Sequence, residues 1–289
     1  ACDGRYRGVD NALNMENACV DLGNAVRHAR EKLGYTHVVL LGWSGGGSLS
    51  AFYQSQAENP TVACSPCGAG PDLTKQDFIA ADGLILMAAH VSRHGTLTQW
   101  IDASITDETD PERRDPALDL YGEDIKPPYT QAFLERYRTA QIARNRKITA
   151  WVKHKLQELA DKGCENEEFA FVTHGTMADP CWLDPAVDPN DRKPGRCYLG
   201  EPRIVNNGPV GLARFSTLRS WLSQWSYDDA NANGPKSLAH VTTPVLVVGN
   251  SADDACTPSH TQALFDSVAH DNKEIHEIKG ATHYYLGQP

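Results

Sequence analysis

The chain has 289 residues and a mass of 31.7 kDa, enough for one large α/β domain or two ordinary ones with a substantial core. Hydrophobic residues at 40% and charged residues at 22% argue against a disordered protein. Lys and Arg number 27 against 37 for Asp and Glu, and the net charge of −10 opposes binding to nucleic acid or to an anionic membrane. No apolar run approaches the roughly 18 residues that cross a bilayer.

The eight cysteines are spread too thinly for a disulfide scaffold, which favours a reducing, cytoplasmic compartment. Cys64-Ser-Pro-Cys67 has the spacing of a redox pair or of half a zinc site. A redox pair would begin a helix, but Gly-Ala-Gly-Pro follows the motif, and Cys181 and Cys197 form only a loose second pair for zinc. We therefore predict ordinary loop cysteines and expect no metal and no other cofactor.

The first third of the chain predicts a helix, a strand and a second helix. Apolar residues from Met15 to Leu33 recur every three or four positions, which is typical of an amphipathic helix, and Gly34 ends it. Four consecutive apolar residues at 38 to 41 predict a strand that is buried on both faces, as in a parallel sheet covered by helices. A further helix is expected to reach about Glu58.

A long stretch of different character separates two more strand signals. Short apolar runs at residues 84 to 89 and 245 to 248 predict buried strands, and a helix near 259 to 269 and a strand at 274 to 278 follow. The stretch between the two apolar runs combines long helices with a proline-rich loop, which predicts a mainly helical cap inserted into an α/β core. The predicted divisions are a first core part at 1–90, a cap at 91–240 and a second core part at 241–289.

The strand at 38 to 41 runs into Gly42-Trp-Ser44-Gly45-Gly46, a G-x-S-x-G motif. A serine on a sharp strand-to-helix turn has a strained backbone, and bulk at the two flanking glycine positions would collide with the neighbouring chain. The Gly45 amide and the positive end of the following helix then point at a substrate oxygen. The motif alone also suits a glycine-rich turn that binds phosphate or merely packs. Within its context, it predicts Ser44 as a nucleophile and Gly45 as an oxyanion-hole donor.

Candidate partners for this serine follow the last two strands. Asp253 and Asp254 come after the strand at 245 to 248, and His283 follows the strand at 274 to 278. Because the carboxyl ends of parallel strands open on one edge of a sheet, these side chains can meet Ser44 there. Histidine suits the role of base because its unperturbed pKa is about 6.5, and a carboxylate is needed to fix the tautomer of the ring.

The order of serine, acid and histidine resembles the serine hydrolases of the α/β-hydrolase superfamily, of the esterase or lipase kind. The resemblance extends over nearly the whole chain and implies an α/β fold with a doubly wound, mostly parallel sheet and a large cap. Similar hydrolases often place a proline four residues after the acid, and Asp254 with Pro258 fits this spacing, so we prefer Asp254 to Asp253. The segment from His90 to His94 follows the preceding strand and contains no carboxylate, which supports the later loop.

One part of the resemblance is incomplete. An acyl-transfer site needs at least two donors for the oxyanion, and Gly45 is one. The second normally comes from a loop after an earlier strand, but no such strand precedes residue 36, and residues 1 to 9 show only a strand end with Asp3 and Arg5, of unassigned role. We therefore expect a C-terminal portion of a longer protein that lacks the first strands, or a second chain that supplies them.

The expected activity is hydrolysis of an ester or related acyl bond of a small organic molecule through an acyl-Ser44 intermediate. Amide, thioester, lactone or carbon–carbon bond hydrolysis would use the same residues, and a non-catalytic protein that binds a small apolar ligand stays open. Trp43 is a candidate substrate contact or a residue packed against the cap. His90 and His94 have metal-like spacing but are expected to line the pocket mouth or the surface. The sequence predicts a small-molecule partner and does not define the oligomeric state.

Overall fold

The computed structural model describes residues 12 to 286. Its strands are β1 (Val39–Ser44), β2 (Gly83–Ala89), β3 (Ala170–Val172), β4 (Phe215–Thr217), β5 (Val245–Asn250) and β6 (Lys273–Ile278). Four of them form a central parallel sheet in the order β1-β2-β5-β6, and β3 and β4 form a separate antiparallel pair. The four core strands predicted from the sequence are thus confirmed, as is the α/β fold class.

Eight α-helices connect and cover these strands within the described residues. The first is capped by Asn14, whose side chain accepts a hydrogen bond from the amide of Asn17, and it continues as a π-helical turn to Lys32. Gly34 follows with a φ of 72°, as its predicted role at the helix end requires. The helices are α1 (Met15–Arg27), α2 (Gly46–Glu58), α3 (Arg93–Trp100), α4 (Gln131–Asp161), α5 (Pro202–Asn207), α6 (Leu218–Gln224), α7 (Gly234–Leu238) and α8 (Pro258–Ser267).

The main hydrophobic core lies between one face of the sheet and helices α1, α2, α7 and α8. Leu40, Leu84 and Val245 are in register on neighbouring strands and point to this face, where Leu238 of α7 and Leu264 of α8 pack. Each such buried side chain contributes roughly 1.5–3 kcal/mol of transfer free energy. The core therefore fixes the carboxyl edge of the sheet, where the candidate residues lie.

Within the described residues, the side chains of β1 that point to the opposite face are largely exposed. Val39, Leu41 and Trp43 are 54%, 57% and 39% exposed, whereas Leu40 and Gly42 are buried. The prediction that this strand is buried on both faces is therefore wrong. Side chains alternate along a strand, β1 is the outer strand of the described sheet, and the four core helices pack on the other face.

The segment between β2 and β5 has a second core of its own. Helix α4 packs on α3 and α6, and Ile148 and Val152 of α4 contact a buried cluster that includes Trp221 and Trp225. Both tryptophans are at most 1% exposed, so they serve as core residues. Polar side chains of α4 are also buried, and Arg144 forms an ion pair with Glu108 and hydrogen bonds to loop carbonyls.

The predicted strand end at residues 1 to 9, with Asp3 and Arg5, lies outside the described residues. Between residues 12 and 286, no helix has both the length and the apolar character needed to cross a membrane.

Candidate functional site

Ser44 ends β1 in a strained backbone conformation. Its φ is 53°, a region that residues other than glycine seldom adopt, and α2 begins two residues later with Gly45 as its N-cap. The backbone amide of His90, at the end of the neighbouring strand, donates a hydrogen bond to the Ser44 carbonyl over 3.1 Å. The turn therefore holds the serine at the carboxyl edge of the sheet, where the helix begins.

Close packing at this turn falls on Gly42, as predicted, and on Gly47 instead of Gly46. A Cβ added at Gly42 would lie 2.7 Å from the Gly46 carbonyl oxygen, as expected for a flanking position. A Cβ at Gly46 would meet no atom within 4 Å, so the predicted collision there is wrong. The tight approach is at Gly47, where a Cβ would lie 2.4 Å from the Cβ of Ala89, because this residue packs α2 directly on β2.

A continuous chain of hydrogen bonds joins three side chains. Ser44 Oγ lies 3.0 Å from His283 Nε2, and His283 Nδ1 lies 3.1 Å from each carboxylate oxygen of Asp253. The Asp253 and His283 residues are 0% and 3% exposed. A carboxylate oxygen accepts, so His283 donates its Nδ1–H to Asp253, and its Nε2 is left to accept the hydrogen bond of the Ser44 hydroxyl.

The structure places Asp253, and not the predicted Asp254, in hydrogen-bond contact with His283. The Asp253 carboxylate accepts hydrogen bonds of 2.8 Å from the amides of Ala255 and Cys256, and this turn holds it beneath His283. Asp254 is partly exposed and makes no hydrogen bond to the histidine. Burial and the charge of Asp253 raise the pKa of Asp254 to about 6.

A cavity of about 280 Å³ opens directly on Ser44. Trp43 lies in its wall, and its ring stacks on His283 with 5.1 Å between centroids while its Nε1–H donates to the His283 carbonyl over 3.2 Å. Trp43 therefore orients the histidine as well as facing the cavity. The lining residues are Trp43, Ser44, Gly45, Gly46, His90, Arg93, Thr96, Tyr198, Leu212, Trp225, Ala255, His283 and Tyr284.

Of the two positions expected for His90 and His94, the pocket mouth or the surface, only the first is found, and for His90 alone, since both residues are buried, at 5% and 6% exposure. His90 lines the cavity, with its ring centroid 6.1 Å from that of His283. Burial and the neighbouring His260 and His283 hold the pKa of His90 well below its usual value. His94 pairs instead with Asn233 over 3.3 Å, and burial lowers its pKa to about 4. The two histidines therefore do not act as a metal pair.

Arg93 is a cavity residue that the sequence did not single out. It begins α3, and its guanidinium carbon lies 4.9 Å from the centroid of the Trp225 ring. Burial lowers its pKa to about 10, so it stays charged at neutral pH. The sequence could have indicated this position, because Arg93 comes four residues after Ala89, at the same sheet edge as Ser44.

Among residues 12 to 286, one group of three potential metal ligands comes together: Asp253, Cys256 and His283. Asp253 and His283 already form a hydrogen bond with each other, and burial raises the pKa of the Cys256 thiol well above its usual value. The donor set therefore fits the hydrogen-bonded arrangement better than a metal. Cys64 and Cys67 carry free thiols in a surface loop.

The sequence matches no protein-family model and no curated protein. Among solved structures, the monoacylglycerol lipase of Paleococcus ferrophilus is 15% identical, with a TM-score of 0.40 over 94% of this chain and 67% of that chain. The esterase domain of a Rhodothermus marinus protein is 11% identical, with a TM-score of 0.39 over 98% and 65%. An α/β fold family hydrolase from Bacillus anthracis str. Sterne is 14% identical, with a TM-score of 0.36 over 93% and 68%. This chain spans about two thirds of the length of each.

The parallel sheet, the strained serine turn after β1 and the order of serine, acid and histidine define an α/β-hydrolase fold. The roles proposed below for Ser44, His283 and Asp253 are argued from their hydrogen bonds in this chain.

Proposed function

We propose that the chain carries the acyl-transfer centre of a serine hydrolase, with Ser44 as nucleophile, His283 as general base and Asp253 as the carboxylate that orients it. The observation that carries this proposal is the unbroken hydrogen-bonded chain from Ser44 Oγ through His283 to Asp253, which opens on a cavity. The strained backbone of Ser44 supports it, because such strain persists at functional turns.

In this mechanism, His283 Nε2 takes the hydroxyl proton as Ser44 Oγ attacks the carbonyl carbon of the substrate. The Gly45 amide and the N-terminal end of α2 stabilise the negative oxygen of the tetrahedral intermediate. His283 then gives the proton to the leaving group, and water releases the acyl group by the reverse sequence. Asp253, fully buried, holds the ring in the required tautomer and offsets the imidazolium charge.

The substrate we propose is an ester, or a related acyl compound, of a small organic molecule. The cavity of about 280 Å³ is at the small end of the range for ligand sites, and aromatic side chains supply much of its wall. It therefore suits a compact, partly apolar acyl group.

Labelling with a fluorophosphonate, together with hydrolysis of p-nitrophenyl acetate, tests this proposal. We expect labelling of the wild-type chain, none in Ser44→Ala and strongly reduced labelling in His283→Ala. Ser267→Ala is a matched control, because that hydroxyl donates to the Leu264 carbonyl on the distant α8, and it should label normally. Labelling that persists in Ser44→Ala would place the reactive nucleophile elsewhere and contradict the role of Ser44. Absence of labelling in the wild-type chain would favour a non-catalytic protein that binds a small ligand.

A further inference from the structure

His90 lies beside the nucleophile but has no part in the mechanism above. It follows β2 directly, and in the sheet Ser44 pairs with Ala89, so the two segments run side by side at the cavity. Its backbone amide donates to the Ser44 carbonyl over 3.1 Å, which fixes the start of its side chain relative to the serine. The ring also packs edge-on against Trp100 at 5.5 Å, so its orientation is fixed.

Cys256 contacts the inner nitrogen of this ring. Its Sγ lies 3.3 Å from His90 Nδ1, and the two residues are only 2% and 5% exposed. Burial and the charges of Asp253 and Asp254 raise the pKa of the thiol well above its usual value, so it carries a proton. Burial likewise keeps the imidazole neutral, since it lowers the pKa of His90.

These two protonation states leave the thiol with a proton and the imidazole with a single one. A protonated thiol is a weak donor as well as a weak acceptor, so the Cys256 S–H is able to donate to His90 Nδ1. In that arrangement, which we take as the first part of the inference, the single ring proton of His90 lies on Nε2. None of the described residues accepts a hydrogen bond from that Nε2–H, although the residue lines the Ser44 cavity.

We propose that His90 donates a hydrogen bond from Nε2–H to an oxygen of the substrate, and that Cys256 is the positioning residue that fixes the required tautomer. This inference rests on the proposed function, because it takes the cavity to hold the substrate of Ser44. An acceptor from the substrate would satisfy a donor that no described side chain pairs. The cavity thus contains two histidines, of which His283 moves protons and His90 keeps its own.

Paired variants of each residue test the hydrogen bond. His90→Phe removes the donor, and we expect kcat/KM for p-nitrophenyl acetate to fall about ten- to a hundredfold. His90→Gln retains an N–H at similar reach and should recover most of that loss. Cys256→Ala removes the donor to His90 Nδ1, so the ring can also adopt the Nδ1–H tautomer, and kcat/KM should fall. Cys256→Ser keeps a donor to Nδ1 and should retain more activity.

The tautomer itself is measurable on the wild-type protein by ¹⁵N NMR of the histidine rings, with the His90 signals assigned by their loss in His90→Gln. We expect the neutral Nε2–H pattern, with Nδ1–H appearing in Cys256→Ala. An Nδ1–H tautomer in the wild-type protein, or a folded His90→Phe with kcat/KM within twofold of wild type, would overturn the proposal. Fluorophosphonate labelling keeps the two proposals apart: an unlabelled wild-type Ser44 contradicts the proposed function, whereas normal labelling with an unaffected His90→Phe contradicts only this inference.

Discussion

Asp253 and Asp254 are adjacent in the loop after β5 but have different surroundings. Asp253→Asn should leave the fold intact and lower kcat about 10³- to 10⁴-fold, because an amide no longer selects the required His283 tautomer. Asp254→Asn is the matched control and should change kcat less than about fivefold, since its side chain makes no hydrogen bond to the histidine. Steady-state hydrolysis of p-nitrophenyl acetate measures both. A larger loss in Asp254→Asn would contradict the assignment of Asp253.

The raised pKa of Asp254 makes stability depend on pH. Because burial and Asp253 raise this pKa from 3.8 to about 6, the folded protein binds the proton more tightly than the unfolded chain. The free energy of unfolding should therefore fall as pH rises from about 4 to 6, by about 1–3 kcal/mol. Asp254→Asn should lose this dependence and be the more stable protein above pH 6. Urea unfolding across pH 4 to 8 measures the effect, and identical curves for the two proteins would refute it.

The sequence indicated that Ser44 and His283 lie at one edge of the sheet, where the structure brings them together, but it did not indicate that Asp253, and not Asp254, contacts His283. Ser44 lies in a G-x-S-x-G motif, whose glycines are suited to a sharp strand-to-helix turn. His283 follows a strand at the carboxyl edge of the sheet, where parallel strands place such side chains together. The spacing between Asp254 and Pro258 was a weaker guide, because the deciding feature is the turn in which Asp253 accepts two amides. His90 was assigned no role because its buried partner, Cys256, is 166 residues away.

At the scale of elements, the contact between α2 and β2 sets the position of the serine turn. Gly47→Ala should destabilise the fold by about 1–3 kcal/mol, because the added methyl group would lie 2.4 Å from Ala89 Cβ. Gly46→Ala should be neutral or stabilising by up to about 1 kcal/mol, since the position is open and lies at the helix start. Guanidinium unfolding of both variants measures the difference. Equal effects would show that the approach of α2 to β2 is looser than described.

The strands and helices of the core were predictable because their apolar residues follow clear periods. The second face of β1 was not, since Val38 to Leu41 reads as a continuous apolar run whether one or both faces are covered. Likewise, three consecutive glycines do not reveal which of them faces the neighbouring strand. Both properties depend on neighbours that are distant in sequence.

At the scale of the whole molecule, the two faces of the sheet differ in how much apolar surface they bury. Leu40→Thr should cost about 2–4 kcal/mol, because Leu40 is 8% exposed within the main core. Leu41→Thr, its neighbour on the open face at 57% exposure, should cost less than about 1 kcal/mol. Thermal and urea unfolding compare the two. A similar large loss in Leu41→Thr would mean that the open face is covered in solution.

The cavity is built by both the sheet edge and the segment between β2 and β5. Tyr198 from that segment lies 6.0 Å from His283 between ring centroids, and Trp182 donates its Nε1–H to the Asp254 carbonyl over 2.6 Å. The sequence predicted an insertion over the sheet but none of these contacts, because its loops have no periodicity. The loop residues that shape the cavity are therefore the part of the chain that is hardest to predict from the sequence.

The stacking of Trp43 on His283 has an optical consequence. A protonated imidazole in contact with an indole quenches its fluorescence more strongly than a neutral one does. Of the tryptophans near the site, Trp43 is 39% exposed, whereas Trp100, Trp182 and Trp225 are at most 2% exposed, so its emission should lie at longer wavelength than theirs. Trp151 is equally exposed, at 38%, so in a Trp151→Phe variant the red edge of the emission spectrum should report whether His283 carries a proton, without any added dye.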